Sequence, residues 1–209
     1  MLKLYPLMLL TSVNLGIYAS VFIKMMDDTM DDKSDWSEDE KTSNALLCML
    51  GLGTGEILGS LFFGRITDKC AYWKTVLANF IVTTIAFAFL ILYGVLYDFS
   101  FGLALAMTLT WGVQDAGMMC LMNVLLGFQF VSKTTPFSVY HFVHSLLIFV
   151  VTCICSTTKT QTSYLIFFSV SLVIYLASWL FQYKYFKPLS TEQVTLMRKK
   201  AATEAATEQ

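Results

Sequence analysis

Six long apolar stretches, each close to the length that crosses a lipid bilayer as a helix, dominate this chain of 209 residues. A hydrocarbon core of about 30 Å requires roughly 20 mostly apolar residues in helical conformation. Hydrophobic residues make up 56% of the sequence and charged residues 14%, which excludes an ordinary soluble domain. The sequence therefore predicts an all-α integral membrane protein. Its six transmembrane helices are predicted at about residues 5–24, 44–66, 74–96, 101–130, 137–157 and 163–186.

The distribution of basic residues predicts the orientation of these spans. If six helices alternate in direction, the basic residues before the first span and after the second, fourth and sixth all share one side of the membrane. They are Lys3, Arg65, Lys69, Lys74, Lys133, Lys184, Lys187, Arg198, Lys199 and Lys200. The positive-inside rule then places both termini on the cytosolic side, or on the matrix side of a mitochondrial membrane. The mitochondrial inner membrane, endomembranes and the plasma membrane all remain open.

Two polar segments flank or interrupt this membrane domain, which we assign to residues 1–189. The acidic loop 27–41 has neither the spacing nor the glycine of a calcium-binding EF-hand loop, so we predict a solvated run or a docking surface for a basic partner. Residues 190–209 form a polar C-terminal tail. We predict no metal and no cofactor. A net charge of −1 without a basic stripe argues against nucleic acid as a partner.

The second span combines small residues with a charged cluster at its end. Small side chains at four-residue spacing let two membrane helices approach closely, so we predict a helix-packing face here. This face consists of Gly51, Gly55, Gly59, Ser60 and Gly64. The charged cluster follows at the cytosolic surface, where an acid beside the start of the next helix can bind its N–H groups and nearby bases. It consists of Arg65, Asp68, Lys69 and Lys74.

This cluster resembles the loop after the second helix of each half in the major facilitator superfamily, which reads roughly Gly-x-x-x-Asp-Arg/Lys-x-Gly-x-x-basic. The chain supplies Gly64, Asp68, Lys69 and Lys74, and it has Ala71 where the pattern has glycine. Further runs are similar to the Uncoordinated-93-like branch of that superfamily. They are Gly53-Thr54-Gly55-Glu56, Trp111-Gly112-Val113-Gln114-Asp115-Ala116, Asn123-Val124-Leu125-Leu126-Gly127-Phe128 and Phe142-Val143-His144-Ser145-Leu146. The likeness covers about residues 5–186.

The resemblance implies the C-terminal six-helix half of a major-facilitator fold. Members of that branch serve as companions of other membrane proteins, as a regulatory subunit of a potassium channel or a chaperone of trafficking receptors. It therefore implies partnership with another membrane protein more than transport.

Five of the polar residues inside the predicted spans are candidate functional residues, since a charge there costs several kcal/mol unless it is paired or faces water. They are Glu56, Asp115, Asn123, His141 and His144. Hydrogen bonding between helices is the favoured interpretation, and a proton path in a transporter is the alternative. We predict no enzyme, because the sequence has no intramembrane protease motif and no Gly-x-Ser-x-Gly elbow.

The predicted function is a non-enzymatic accessory, regulatory or structural subunit of a larger membrane complex, built on half of a transporter fold. The small-residue face of the second span and the polar face around Asp115 are its predicted contacts with other subunits, and membrane lipids surround the rest. A hetero-oligomer is favoured over a homodimer. The alternative is a homodimeric half-transporter for a small solute or ion, with or without proton coupling, whose cavity holds Glu56, Asp115, His141 and His144.

Overall fold

The computed structural model describes residues 4–30, 36–70, 72–129, 134–158 and 160–186. This part of the chain contains six helices and no strand, which confirms the all-helical prediction. The helices are α1 (Tyr5–Met30), α2 (Glu38–Lys69), α3 (Tyr72–Leu96), α4 (Phe101–Gln129), α5 (Thr134–Ser156) and α6 (Gln161–Phe186).

Five of these helices, α1, α2, α3, α5 and α6, are long and apolar enough to cross a membrane. This supports a multi-pass membrane protein. Helix α4 differs from the others. It is 29 residues long, or about 43 Å at 1.5 Å per residue, but Gln114, Asp115 and Asn123 interrupt its apolar sequence. The lower hydropathy of α4 is therefore due to polar side chains near its middle, and not to a short helix.

The predicted bounds of the acidic loop, 27–41, are wrong at both ends. Asp27 and Asp28 lie in the last turn of α1, and α2 already begins at Glu38. A capping box starts α2: the Ser37 hydroxyl accepts from the Glu40 backbone N–H at 3.3 Å, and the Glu40 carboxylate accepts from the Ser37 N–H at 2.9 Å. Acidic side chains in the first turn also complement the positive helix end, so these residues extend the helix beyond its apolar part.

Helix α1 contains one turn of π-helix, at Ile17–Phe22, between two α-helical parts. Ile17, Val21 and Phe22 are buried within this turn. A π-helical turn has i→i+5 hydrogen bonds and therefore holds more residues than an α-helical turn. The residues 31–35 and the predicted tail 190–209 lie outside the described residues.

Contacts at one end of the bundle bring the ends of α1, α3 and α5 together with the start of α6. Lys24, near the end of α1, donates to the carbonyl of Thr158, beyond the end of α5. The Tyr164 hydroxyl donates to Asp28 at 2.5 Å. The Gln161 amide at the start of α6 donates to the carbonyl of Val95, near the end of α3, at 2.9 Å. We call this the acidic end, after Asp28, Glu38 and Asp98, and the opposite end, with Arg65, Lys69 and Lys74, the basic end.

Helices α1 and α4 form the centre of the bundle. Helix α2 makes its most extensive contacts with α4, α3 packs on α4 and α6, and α5 packs on α1. The apolar part of α1 is 61% buried and that of α5 only 17%, so α5 lies at the periphery. A series of aromatic contacts joins the central helices: Trp111 of α4 packs against Phe22 and Phe87, each at 5.2 Å between ring centroids, and Phe87 stacks on Tyr175 of α6.

Candidate functional site

A cavity of about 690 Å³ lies between α1, α2, α4 and α5. Asp115 stands at the middle of α4 and His144 at the middle of α5, so the cavity is at mid-depth of the bundle. Its volume falls in the range of small-molecule sites, about 300–1,000 Å³. The lining residues are Thr11, Leu15, Tyr18, Glu56, Ser60, Asp115, Ala116, Met119, Cys120, Asn123, Val124 and His144.

Asp115 is held by a buried amide on α1. The Asn14 Nδ2 donates to Asp115 Oδ1 at 2.6 Å, and both residues are buried. The Trp111 indole N–H in turn donates to the Asn14 backbone carbonyl at 3.4 Å. A carboxylate that leaves water needs hydrogen-bond donors, and Asn14 supplies one to this oxygen. The pair also joins the two central helices of the bundle.

His144 is oriented by a serine on α1 and a tyrosine on its own helix. The Ser12 hydroxyl lies 2.7 Å from the Met8 carbonyl and 2.9 Å from His144 Nδ1. Either atom of the Ser12–His144 pair can donate, so the direction of this bond follows the tautomer of His144. The Tyr140 ring stacks on the imidazole at 5.1 Å between ring centroids, and His144 lines the cavity.

Glu56 lines the same cavity from α2, where α2 and α4 come closest together. An added Cβ at Gly112 would lie 2.9 Å from the Glu56 backbone nitrogen. The Glu56 side chain is partly exposed, and it forms no hydrogen bond or ion pair within the part of the chain that the structure describes. Glu56 and Asp115 thus bring two carboxyl groups to one space, and among the described residues only Asp115 has a hydrogen-bond donor.

The small residues of α2 do not all have the predicted role. A Cβ at Gly51 would lie 2.8 Å from Thr108 Oγ1, one at Gly59 would lie 2.7 Å from the Val113 carbonyl, and one at Gly55 would overlap the Leu109 carbonyl. These three glycines therefore face α4. Ser60 is exposed and lines the cavity, and nothing lies within 4 Å of a Cβ at Gly64, so neither residue belongs to this contact.

The glycine face is therefore used within the chain, and its prediction as a contact with another subunit is corrected. Sequence reasoning had assigned no packing role to Gly112 of α4, whose added Cβ would overlap the Leu52 carbonyl of α2. Gly112 lies three residues before Asp115 and so on the same helical face, and this spacing could have predicted that Gly112 packs against another helix. The charged cluster Arg65, Asp68, Lys69 and Lys74 is exposed at the basic end, away from the cavity.

The structure separates the polar residues of the predicted spans into two groups. Glu56, Asp115, Asn123 and His144 line one cavity, whereas His141 is exposed on α5 and is not a lining residue. Within this chain His141 is therefore not part of the wall that Glu56, Asp115 and His144 share. The two imidazoles differ in burial although they are three residues apart, and the Tyr140 ring contacts both, at 5.2 and 5.1 Å between ring centroids.

Several residues of α1 that line or support the cavity were missed from the sequence. They are Thr11, Ser12, Asn14 and Tyr18. The signal was present: Thr11, Asn14 and Tyr18 follow one another at three- and four-residue spacing and so share a helical face. Each is unremarkable alone in an apolar span.

No lysine or arginine of the described residues lines the cavity, and no group of three His, Cys, Asp or Glu side chains there is arranged to hold a metal ion. Comparison of the chain with protein-family models, curated proteins and solved structures found no match.

Proposed function

We propose that this chain is a non-enzymatic subunit of a larger membrane protein assembly, built on half of a transporter-type bundle. All six helices then cross the membrane, with the basic end and both termini on the cytosolic or matrix side. The resemblance to the Uncoordinated-93-like branch supports this proposal through residues that the structure places on the cavity wall, such as Glu56 and Asp115.

The observation that carries the proposal is the polar cavity at mid-depth of the bundle. Asn123 is exposed and Glu56 partly exposed on its wall, and His141 is exposed on α5. Polar and ionisable groups at this depth are costly against lipid, and they face protein or water in membrane proteins. The side of the bundle that carries these residues therefore faces an adjoining protein, and not acyl chains.

The packing of α5 explains why the cavity needs a second chain. Helix α5 makes its extensive contacts with α1, where a Cβ at Gly16 would lie 2.9 Å from the Cβ of Val151. It has no comparable contact with α4, so the cavity between these helices stays open to one side. An adjoining membrane protein that covers this opening removes the polar groups from lipid.

Site-specific photo-cross-linking in the native membrane tests the proposal. A photoreactive residue replaces Ser60 on the cavity wall, or Val173, which is 64% exposed on α6, as the matched control. We expect cross-links to protein from position 60 and cross-links to lipid from position 173. The native mass of the complex, extracted in mild detergent, then identifies the adjoining chain.

Cross-links to lipid alone from position 60, together with the native mass of a single chain, would contradict the proposal. Assembly with unrelated proteins supports it. Because Gly55 and Gly59 face α4, bulky replacements there report on folding of the chain and are not a test of association.

A homodimeric half-transporter is the second candidate, favoured by the convergence of Glu56, Asp115 and His144 on one cavity. In it, two copies form the two halves that alternate around a shared site. A native mass of two copies would support this candidate. Asp115→Asn should then abolish solute flux in proteoliposomes while the dimer mass is unchanged, and flux equal to wild type would contradict it.

A further inference from the structure

We propose that the cavity binds a small organic cation, with its ammonium group between Glu56 and Asp115. The inference rests on the proposed function and deepens it, because it names the chemistry of a ligand for the cavity that the adjoining chain covers. The charge of the cavity, its size and the chemistry of its walls support this inference.

The described residues do not balance the charge of the cavity. Glu56 and Asp115 line it, and no described lysine or arginine does. Lys24 donates to backbone carbonyls at the acidic end, and Lys41 pairs with Glu38 at 3.0 Å in the first turn of α2. A carboxylate in a space of low polarity is stabilised by a nearby positive charge, or it takes up a proton and becomes neutral. A cationic ligand is therefore the complementary occupant.

The shape of the cavity favours an organic cation over a bare metal ion. A metal ion requires several convergent ligands at short distance, and the described residues provide no group of three such side chains. The volume of about 690 Å³ fits a small molecule. The walls also carry apolar side chains, among them Leu15, Ala116 and Val124, which can contact an alkyl part.

Polar and aromatic groups of the wall can accept the hydrogen bonds of an ammonium ion and attract its charge. Its N–H groups require acceptors, and the Ser60 hydroxyl and the Asn123 amide oxygen line the same space as the two carboxyl groups. Tyr18 lies on the α1 wall, and a tyrosine ring attracts a cation through its π face. These groups select an ammonium ion against an anion of equal size.

Thermal unfolding of the purified full-length protein in lipid nanodiscs provides the test. The probes are n-butylammonium, tetramethylammonium, butyrate, 1-butanol and sodium chloride, each at neutral pH. For an ammonium probe at about 100 times its Kd we expect Tm to rise by roughly 5–10 °C, whereas butyrate and 1-butanol leave it unchanged. Titration calorimetry gives the Kd.

Two charge-neutral variants and one control locate the site. Glu56→Gln should weaken binding of the ammonium probe about ten- to a hundredfold, because a charged hydrogen-bond acceptor is lost. Asp115→Asn should have a similar effect. Glu56 has no hydrogen bond within the described residues, so its variant keeps the fold even if Asp115→Asn does not. Asp39→Asn, at an exposed position of α2, should bind like wild type.

Equal Kd values for wild type and Glu56→Gln would overturn the proposal. So would an equal response to butyrate, to 1-butanol or to sodium chloride, or no response to either ammonium probe. The native mass of the same variants, extracted from their own membranes, reports separately on assembly. A lost ammonium response with intact assembly would overturn only this inference, whereas a single-chain mass with an intact response would overturn only the proposed function.

Discussion

Single residues of the cavity depend on partners from other helices. Asp115 accepts from Asn14, and His144 forms a hydrogen bond with Ser12, so both side chains are held by α1. Side chains without rotational freedom keep their polar atoms in one arrangement, and this is a requirement for selective binding. The cavity is thus a consequence of specific hydrogen bonds as well as of the gap between α4 and α5.

The Asn14–Asp115 hydrogen bond should be measurable as a coupling energy. We expect Asn14→Ala to lower the free energy of unfolding by about 1–3 kcal/mol, because the buried Asp115 carboxyl loses its donor. In an Asp115→Ala background the same change should cost less, with a coupling of about 1 kcal/mol. Unfolding by denaturing detergent measures all four proteins of the cycle. Additive effects would show that the bond does not contribute.

The glycines of α2 provide a second comparison between single residues. Gly55→Ala should destabilise the protein by about 1–3 kcal/mol, because the added Cβ overlaps the Leu109 carbonyl on the backbone of α4. Gly53→Ala is the matched control, two residues away, where a Cβ meets nothing within 4 Å. It should be neutral or stabilising by up to about 1 kcal/mol through helix propensity. Similar Tm values for the two variants would contradict the α2–α4 contact.

At the scale of elements, hydropathy locates the helices well and their ends poorly. Helix α2 begins at Glu38, ahead of its apolar part, because Ser37 and Glu40 form a capping box. Helix α1 continues through Asp28 to Met30. A window of apolar residues cannot find such ends, since hydrogen bonds of polar side chains decide them. The composition of the span likewise does not predict the π-helical turn at Ile17–Phe22.

The π-helical turn leads to a prediction about deletions. Removal of Ala19, an exposed residue of this turn, should convert it to α-helix while Asn14 and Asp28 keep their partners. Ile81 is exposed in the uniform α-helix α3, and its removal should rotate the part of α3 on one side of the deletion by about 100° relative to the other part. This rotation should break the hydrogen bond from Asn79 to the Gln114 carbonyl.

Size-exclusion chromatography and thermal unfolding in detergent measure the outcome. We expect the Ala19 deletion to yield a monodisperse protein with a Tm within a few degrees of wild type, and the Ile81 deletion to aggregate. Aggregation of both, or of the Ala19 deletion alone, would show that the π-helical turn has a role in packing that its removal does not preserve.

At the scale of the whole molecule, the bundle is joined at its acidic end and open beside α4 and α5. Lys24, Asp28 and Gln161 make contacts across helices at the acidic end, whereas the cavity lies at mid-depth with Ser60 and Asn123 exposed. An adjoining chain that left water in this space would give ions and solutes access to Cys120, which lines the wall.

Labelling of Cys120 tests the charge and the hydration of the cavity in one experiment. In a protein with Cys70 and Cys153 replaced by serine, a methanethiosulfonate with a quaternary ammonium group should label Cys120 at least about tenfold faster than one with a sulfonate group, because the acidic wall attracts cations. Glu56→Gln should reduce this ratio.

A cysteine introduced at Val173, in the middle of α6 and outside the cavity, is the control. It should resist both charged reagents in nanodiscs, and Cys120→Ser should abolish labelling. Equal rates for the two reagents at Cys120 would contradict an acidic cavity.

The sequence by itself determined the class of this protein, because the cost of exposing apolar or polar groups to water or lipid depends on local composition. It also determined that α2 has a face able to approach another helix, since glycine spacing is a local property. Only the tertiary structure decided that this face meets α4 within the chain and that His141 and His144 separate. Asn14 and Asp115 lie 101 positions apart, and their meeting depends on how whole helices pack.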